Sequence, residues 1–282
     1  MKHLIAPLFL VPTLSFAAPY KGAVSTATGG AGAAIVESSE IPFGNPAALG
    51  HLKGYHFTSS FARASQGEVN DSDMAFSISD SMPDTIVPTA LSYSQNNTED
   101  SLKNQLHQKH FRLSFGNMVH DRFAFGLGIG HDQIRLANKS FSDTNLTVGT
   151  LFSNKSNIGF AVVANNILRP NQNIPEELRP SQTITVGTSA LYKRLVRFRV
   201  DATARLEDQM AKPLLGAGVE NYLNKFSILR VGYQRDSLLE ANVYSAGLGF
   251  VLPKFGLHYG YQQSPQKELL TRHSVDLAIP IW

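Results

Sequence analysis

The chain has 282 residues, a formal net charge of +3 and 17% charged residues. That charge is too small to imply a nucleic-acid partner, and the absence of cysteine excludes thiolate metal sites, Cys nucleophiles, disulfide scaffolds and anchoring through a lipidated Cys. Phe 17, Tyr 9 and Gly 22 beside so little charge, with no internal run near the ~18 apolar residues of a spanning helix, argue against helical membrane spans.

The N-terminus carries a short basic start, Lys2 and His3, then an apolar stretch from Leu4 to Leu14, then Ser15-Phe16-Ala17. This is the tripartite pattern of a secretory signal cut after Ala17, and Pro7 and Pro12 disfavour a buried helix there. Residues 18–53 follow as a segment suited to plugging a barrel. It holds Gly29-Gly30-Ala31-Gly32-Ala33-Ala34, then Ser38-Ser39-Glu40, then Asn45-Pro46-Ala47. Asn45-Pro46 is a turn signal, because Asn can bond its own backbone and Pro fixes φ.

From residue 54 to 282 the apolar residues recur with period two, the mark of a strand with one apolar and one polar face. The ninth such segment is the clearest. Val196, Phe198, Val200, Ala202 and Ala204 oppose Arg197, Arg199, Asp201, Thr203 and Arg205. Tyr55, Phe57 and Phe61 open the series, and Val275, Leu277, Ile279 and Ile281 close it, with Trp282 at the terminus but out of phase. Between them, Phe111–Phe115 and Phe123–Ile129 alternate aromatic or aliphatic residues with Arg, Ser, Gly and Ala. The count is about fourteen.

A soluble sandwich would turn the apolar face inward, whereas a membrane barrel turns it to lipid and lines its lumen with polar and small residues. Three features favour the all-β, transmembrane antiparallel barrel. The strands run to about ten residues, near the ~9–11 that cross a bilayer tilted. The rows opposite the aromatics are rich in Gly, Ser, Thr and Arg. Short joins near Pro83, Val119, Lys155, Arg194, Asn224 and Lys254 alternate with mostly longer ones, notably Gln95–Lys109 and Asn166–Ser181. Short periplasmic turns with longer outer loops are what outer-membrane barrels show.

The Gly/Ala run leading into Asn45-Pro46-Ala47 resembles the N-terminal hatch of the FadL-type family of hydrophobic-compound transporters, and the stretches Tyr244–Phe250 and Leu257–Tyr261 are similar to its late strands. The PorV-like outer-membrane proteins of type IX secretion are related in fold. The resemblance implies a fourteen-stranded outer-membrane barrel around a hatch. It implies passive movement of fatty-acid-like or hydrocarbon-like compounds, or else a non-catalytic scaffold for a secretion or surface partner protein. Outer-membrane lipid, and a small hydrophobic solute under the first reading, are the expected partners. No cofactor is implied.

The resemblance makes Phe43, Asn45, Pro46 and Pro88 the candidate ligand or gating residues. Asn45-Pro46 would hold the hatch, with a plain turn as the competing reading. Pro88 would mark a lateral exit near the third strand, although a strand-start proline near a periplasmic turn suits it better. Arg112, Arg197, Arg199, Arg205 and Arg230 are expected to face the lumen. There they would form either a basic path for anionic head groups or, as lumen charges need partners, pairs with Asp201, Glu220 and Asp276. Catalysis is not expected, since in the nearest constellation His273 lies on the opposite face from Ser274 and Asp276. His107 and His110 are too isolated to suggest a metal site.

Overall fold

The computed structural model describes residues 20–99, 105–154, 157–206, 212–238, 240–265 and 270–281. Residues 1–17, expected from the sequence to be a signal, and Trp282 lie outside these residues. The described chain opens with a short helix, α1 (Ala23–Ala27), and a 3-10 turn over Pro46–His51. Fourteen strands follow. They are β1 (Gly54–Gln66), β2 (Val69–Ser81), β3 (Thr89–Glu99), β4 (Gln105–His120), β5 (Phe123–Leu136), β6 (Lys139–Asn154) and β7 (Ile158–Asn165), then β8 (Thr183–Tyr192), β9 (Val196–Arg205), β10 (Leu214–Tyr222), β11 (Ser227–Asp236), β12 (Ala241–Leu252), β13 (Phe255–Ser264) and β14 (Leu270–Ile281).

Each strand pairs antiparallel with its sequence neighbours, and β1 pairs with β14, with Tyr55 opposite Ile281 and Ser65 opposite Thr271. The sheet is therefore closed and has no edge strand. Alternation places the large apolar residues outside. Phe61 is 49% exposed and Phe160 is 54% exposed, and similar side chains stand out on every strand. A soluble protein does not leave so broad an apolar wall in water. It is the lipid-facing surface of a transmembrane barrel. No helix among the described residues is long and apolar enough to cross a membrane.

Loop length follows parity less closely than the sequence suggested. The β1–β2 and β5–β6 joins are only residues 67–68 and 137–138. Most of Gln95–Lys109 belongs to β3 and β4, which stay paired up to Glu99 opposite Gln105. The apolar alternation stops below that point because those strands rise past the hydrocarbon, where both faces can be polar while the ladder continues. The periodicity thus reports the membrane belt and understates strand length.

The wall is uneven. β7 pairs with β6 only along Val148–Asn154, so the rest of β6 lacks a strand on that side. Residues 166–182 take its place. Leu146 O accepts the N–H of Ile167 at 3.0 Å, and the side chains of Asn145 and Asp143 accept the N–H groups of Leu168 and Asn171 at 3.1 Å each. This loop then turns inward and buries Ile174 and Leu178 against Leu106 and Ile134.

Candidate functional site: the seated N-terminal segment and the cavity above it

Residues 20–53 lie inside the barrel against inward-facing wall residues, and three rows of small residues make the room. Gly116 on β4 is opposite Gly126 on β5, which is opposite Gly149 on β6. A Cβ on any of the three would collide with the Asn45–Ala47 segment: with Pro46 O at Gly116, with Ala47 N at Gly126 and with Asn45 Oδ1 at Gly149. Across the lumen, Gly218, Gly232 and Ser245 form one cross-strand row and Gly247, Gly260 and Ser274 another. These rows seat α1 and the turn after it. Gly232 faces the backbone of Gly29, and Gly260 faces Ala23 O.

The two sides of the seat use different forces. Against β3–β7 the contact is mostly apolar: Ile41, Ala47, Ala48 and Leu49 pack on inward Ala90, Ala124, Leu151 and Ala161. Water removed from such surface stabilises by ~25 cal/mol per Å². Against β8–β14 the contact is polar, and wall side chains bond the segment's main chain. Asp201 Oδ2 accepts the N–H groups of Gly32 and Ala33 at 2.8 and 2.9 Å. Asp276 accepts from Ala23 N at 2.8 Å, and Ser245 Oγ from Gly29 N at 3.0 Å. Ser189 Oγ donates to Ala34 O at 3.1 Å.

Asn45 ties the segment to itself and to β6. Its Oδ1 accepts from Ala47 N at 3.0 Å and caps the 3-10 turn, with Pro46 at the first position. Its Nδ2 donates to Ala33 O at 2.9 Å, within the segment, and to Thr150 O on β6 at 3.2 Å. Phe43 sits nearby, buried, with its ring centroid 4.9 Å from that of Tyr20. Arg112 Nη1 donates to Phe43 O at 2.7 Å. The structure therefore brings Phe43, Asn45, Pro46 and Arg112 together. Pro88 lies apart, in the β2–β3 turn one residue before β3, and β3 pairs without interruption on both sides.

Of the other candidate arginines, Arg199 and Arg230 are buried and Arg197 and Arg205 half-buried, each facing a carboxylate. Arg199 Nε and Arg230 Nε each donate to Glu220 at 2.9 Å, one to each carboxylate oxygen, and Arg197 Nη1 stands 3.9 Å from Glu220 Oε1. Arg230 Nη1 also meets His258 Nδ1 at 3.2 Å, and His258 Nε2 lies 3.8 Å from Glu37 in the seated segment. Arg205 pairs with Asp236 at 2.8 Å. Glu220 is thus the carboxylate shared by the arginine cluster. Asp201 and Asp276, expected as arginine partners, serve the segment's backbone instead. Pairing with several donors is what a buried carboxylate needs.

Glu40, which follows Ser38-Ser39 in the sequence, and Glu37 acquire their partners only in three dimensions. Glu40 Oε1 accepts the N–H of Ser25 at 2.7 Å. Burial pushes its carboxyl up to about 7, helped by the neighbouring Asp276 carboxylate and opposed by the Ser25 bond. Lys21 is pushed down to about 8, first by burial and then by the Arg272 guanidinium.

Above the segment lies a cavity of about 180 Å³. Tyr20, Lys21, Phe43 and Arg112 line it below, and Leu178 and Pro180 of the 166–182 loop line it above. Its sides mix Ile134, Val243 and Leu270 with polar residues such as Asp73, Gln108 and Gln262, so it is not the purely apolar pocket that transport of hydrophobic compounds would suggest. No described group of His, Asp and Glu has metal-site geometry. His107 bonds Asn97 and His110 bonds Asp132, each at 2.7 Å. His273 bonds the Tyr259 hydroxyl, while Ser274 Oγ meets Thr26 Oγ1 on the other face, so no relay forms.

Fourteen antiparallel strands closed around an N-terminal segment define the architecture of the FadL-type transporters. Solved structures share it across nearly the whole chain. The "CymD monoaromatic hydrocarbon channel" is 11% identical with a TM-score of 0.74, over 92% of this chain and 97% of that one. The Ralstonia pickettii toluene transporter TbuX is 12% identical with a TM-score of 0.74, over 95% and 100%. A Pseudomonas aeruginosa FadL homologue is 9% identical with a TM-score of 0.71, over 95% and 100%. No family model matches the sequence, and no curated protein matches it either. At these identities the likeness is one of fold.

Proposed function

We propose that the protein is an outer-membrane channel through which small hydrophobic or amphipathic compounds move passively. The observation that carries this reading is the cavity between the 166–182 loop and the Tyr20–Phe43 pair, directly over a segment that fills the lumen. The named functions of CymD and TbuX, which share the fold, support it. Size sharpens it. An apolar cavity of about 150 Å³ holds one benzene, so about 180 Å³ is room enough for a single-ring solute.

In this reading residues 18–53 are the hatch, released from a signal at 1–17, and 54–282 are the barrel. Asn45 and Pro46 hold the hatch, and Phe43 forms part of the cavity floor. Passage requires the hatch to shift, since its backbone rests directly on the glycine rows. The lumen charges are consumed by Glu220, Asp236 and the hatch, which leaves little of a continuous anion path. No step of bond making or breaking is assigned.

The test compares accumulation of labelled toluene and labelled palmitate in deletion and complemented cells. The reading expects faster toluene entry with the protein present and a smaller effect on palmitate. Equal toluene entry in the two strains would overturn it. A surface or secretion partner recovered at stoichiometric yield from outer membranes, together with equal entry, would favour the scaffold reading.

A further inference from the structure

The turns at the β4–β5, β8–β9, β10–β11 and β12–β13 joins share a local pattern. Each ends in a base followed by a large apolar residue: Arg122-Phe123, Arg194-Leu195, Lys225-Phe226 and Lys254-Phe255. All of these side chains are exposed. The three turns from β8 to β13 hold four bases, counting Lys193, and no carboxylate. None of the four has an ion-pair partner among the described residues. Successive turns stand two strands apart, which is roughly 10 Å along the rim at ordinary strand spacing.

Lys193 and Arg194 add an independent observation. Both have left-handed backbone, with φ of 49° and 57°. The N–H of Leu195 returns to Tyr192 O at 2.9 Å, so they are the two central residues of a tight hairpin turn. Asn and Gly fill such positions with least strain. Two long bases there hold strained backbone that Asn or Gly would relieve. The fold could make this turn more easily without them, and the Lys193 ammonium lies 5.1 Å over the Tyr192 ring, at the edge of the lipid-facing wall.

We propose that this edge, from the β8–β9 turn to the β12–β13 turn, binds anionic phospholipids of the periplasmic leaflet. Their phosphates would meet Lys193, Arg194, Lys225 and Lys254, and their acyl chains would lie along Leu195, Phe226 and Phe255. Guanidinium and ammonium groups bond phosphate oxygens, and a base beside an anionic leaflet contributes about 1 kcal/mol, close to fivefold per residue. That this edge faces the periplasm rests on taking the short joins as the periplasmic turns of the proposed channel. The binding chemistry needs only the transmembrane barrel.

Native mass spectrometry of the detergent-extracted protein, offered equal phosphatidylglycerol and phosphatidylcholine, tests it. Wild type is expected to retain the glycerol lipid about tenfold over the choline lipid. The Lys193→Gln, Arg194→Gln, Lys225→Gln, Lys254→Gln variant is expected to lose that preference. Exchanging Lys for Arg and Arg for Lys at the same four positions should keep it, as should Arg63→Gln with Lys109→Gln and Arg135→Gln on the opposite rim. Heat-shifted gel migration confirms that each barrel is folded. No preference in wild type, or an undiminished preference in the four-residue variant, overturns the proposal. Toluene entry is read separately, so failure of the transport reading leaves a distinct signature.

Discussion

Gly126 and Gly128 lie on the same inward face of β5, two residues apart, and an added methyl group should act oppositely at the two. At Gly126 the new Cβ would strike Ala47 N and the Pro46 carbonyl carbon, all backbone atoms that cannot swing aside. Overpacking of this kind costs about 1–3 kcal/mol, and the cost falls on hatch seating because the β4–β5–β6 ladder is continuous there. At Gly128 the nearest atoms are Arg112 Cδ and Ser114 Oγ at 3.5 Å, an ordinary contact. Neither glycine has positive φ, so Ala fits both backbones. Gly128→Ala should therefore stabilise by about 0.4–1 kcal/mol through the unfolded chain. Hydrogen exchange of the 23–53 amides reads seating, and heat-shifted gel migration reads the barrel. Gly126→Ala should speed hatch exchange about fivefold or more, the equivalent of its lower-bound cost, with the barrel intact, and Gly128→Ala should leave it unchanged. Equal hatch exchange in the two variants would refute the idea that glycine rows define the seat.

Asn45→Ala removes a cap and two donations, a loss of about 2–4 kcal/mol of seating from about 1 for the cap and about 1 or more for each buried bond; single-channel recordings in planar bilayers should show openings absent from wild type, and silent traces would count against Asn45 as the hatch fastener. Glu40 has its seated pKa raised to about 7 from an ordinary 4.5. Its contribution to seating is therefore fully present below about 4.5 and lost as pH rises through about 7. Protease sensitivity of the hatch should increase between those values, and Glu40→Gln should flatten the profile. Glu220→Ala leaves Arg199 and Arg230 buried without a carboxylate and should cost about 3–5 kcal/mol; a denaturation midpoint within error of wild type would show that the cluster is not a structural tie.

Much of the wall was legible in the sequence because a lipid-facing strand must alternate, and the ninth strand shows it plainly from Val196 to Arg205. Its arginines do face inward. What the period could not show was register, which decides that Gly116, Gly126 and Gly149 stand side by side. One glycine on a polar face signals only smallness; three abreast signal a seat. Partner choice was hidden for the same reason. Asp276 lies 253 residues from the Ala23 N–H that it receives, and Arg205 lies 31 from Asp236. Residues such as Leu106, Ile134 and Leu151 fall on the polar row, where alternation predicts lumen-facing polarity, yet they are buried against the 166–182 loop and the hatch. Asn45-Pro46 was visible as a turn, but its donation to Thr150 on the wall was not.

The polar half of the seat recognises main chain: Asp201, Asp276, Ser245 and Ser189 all bond backbone groups of the segment between Ala23 and Ala34. A socket of that kind does not spell out a sequence for its occupant. It asks for small side chains, a fixed path and N–H groups at set intervals. The inward wall then tolerates little substitution, as do Gly29 and Gly30 with φ of 65° and 78°, while the alanines of α1 and of the Gly/Ala run can exchange with other small residues. Lineages of this barrel could in this way retain one docking geometry while the identity of the plug drifts.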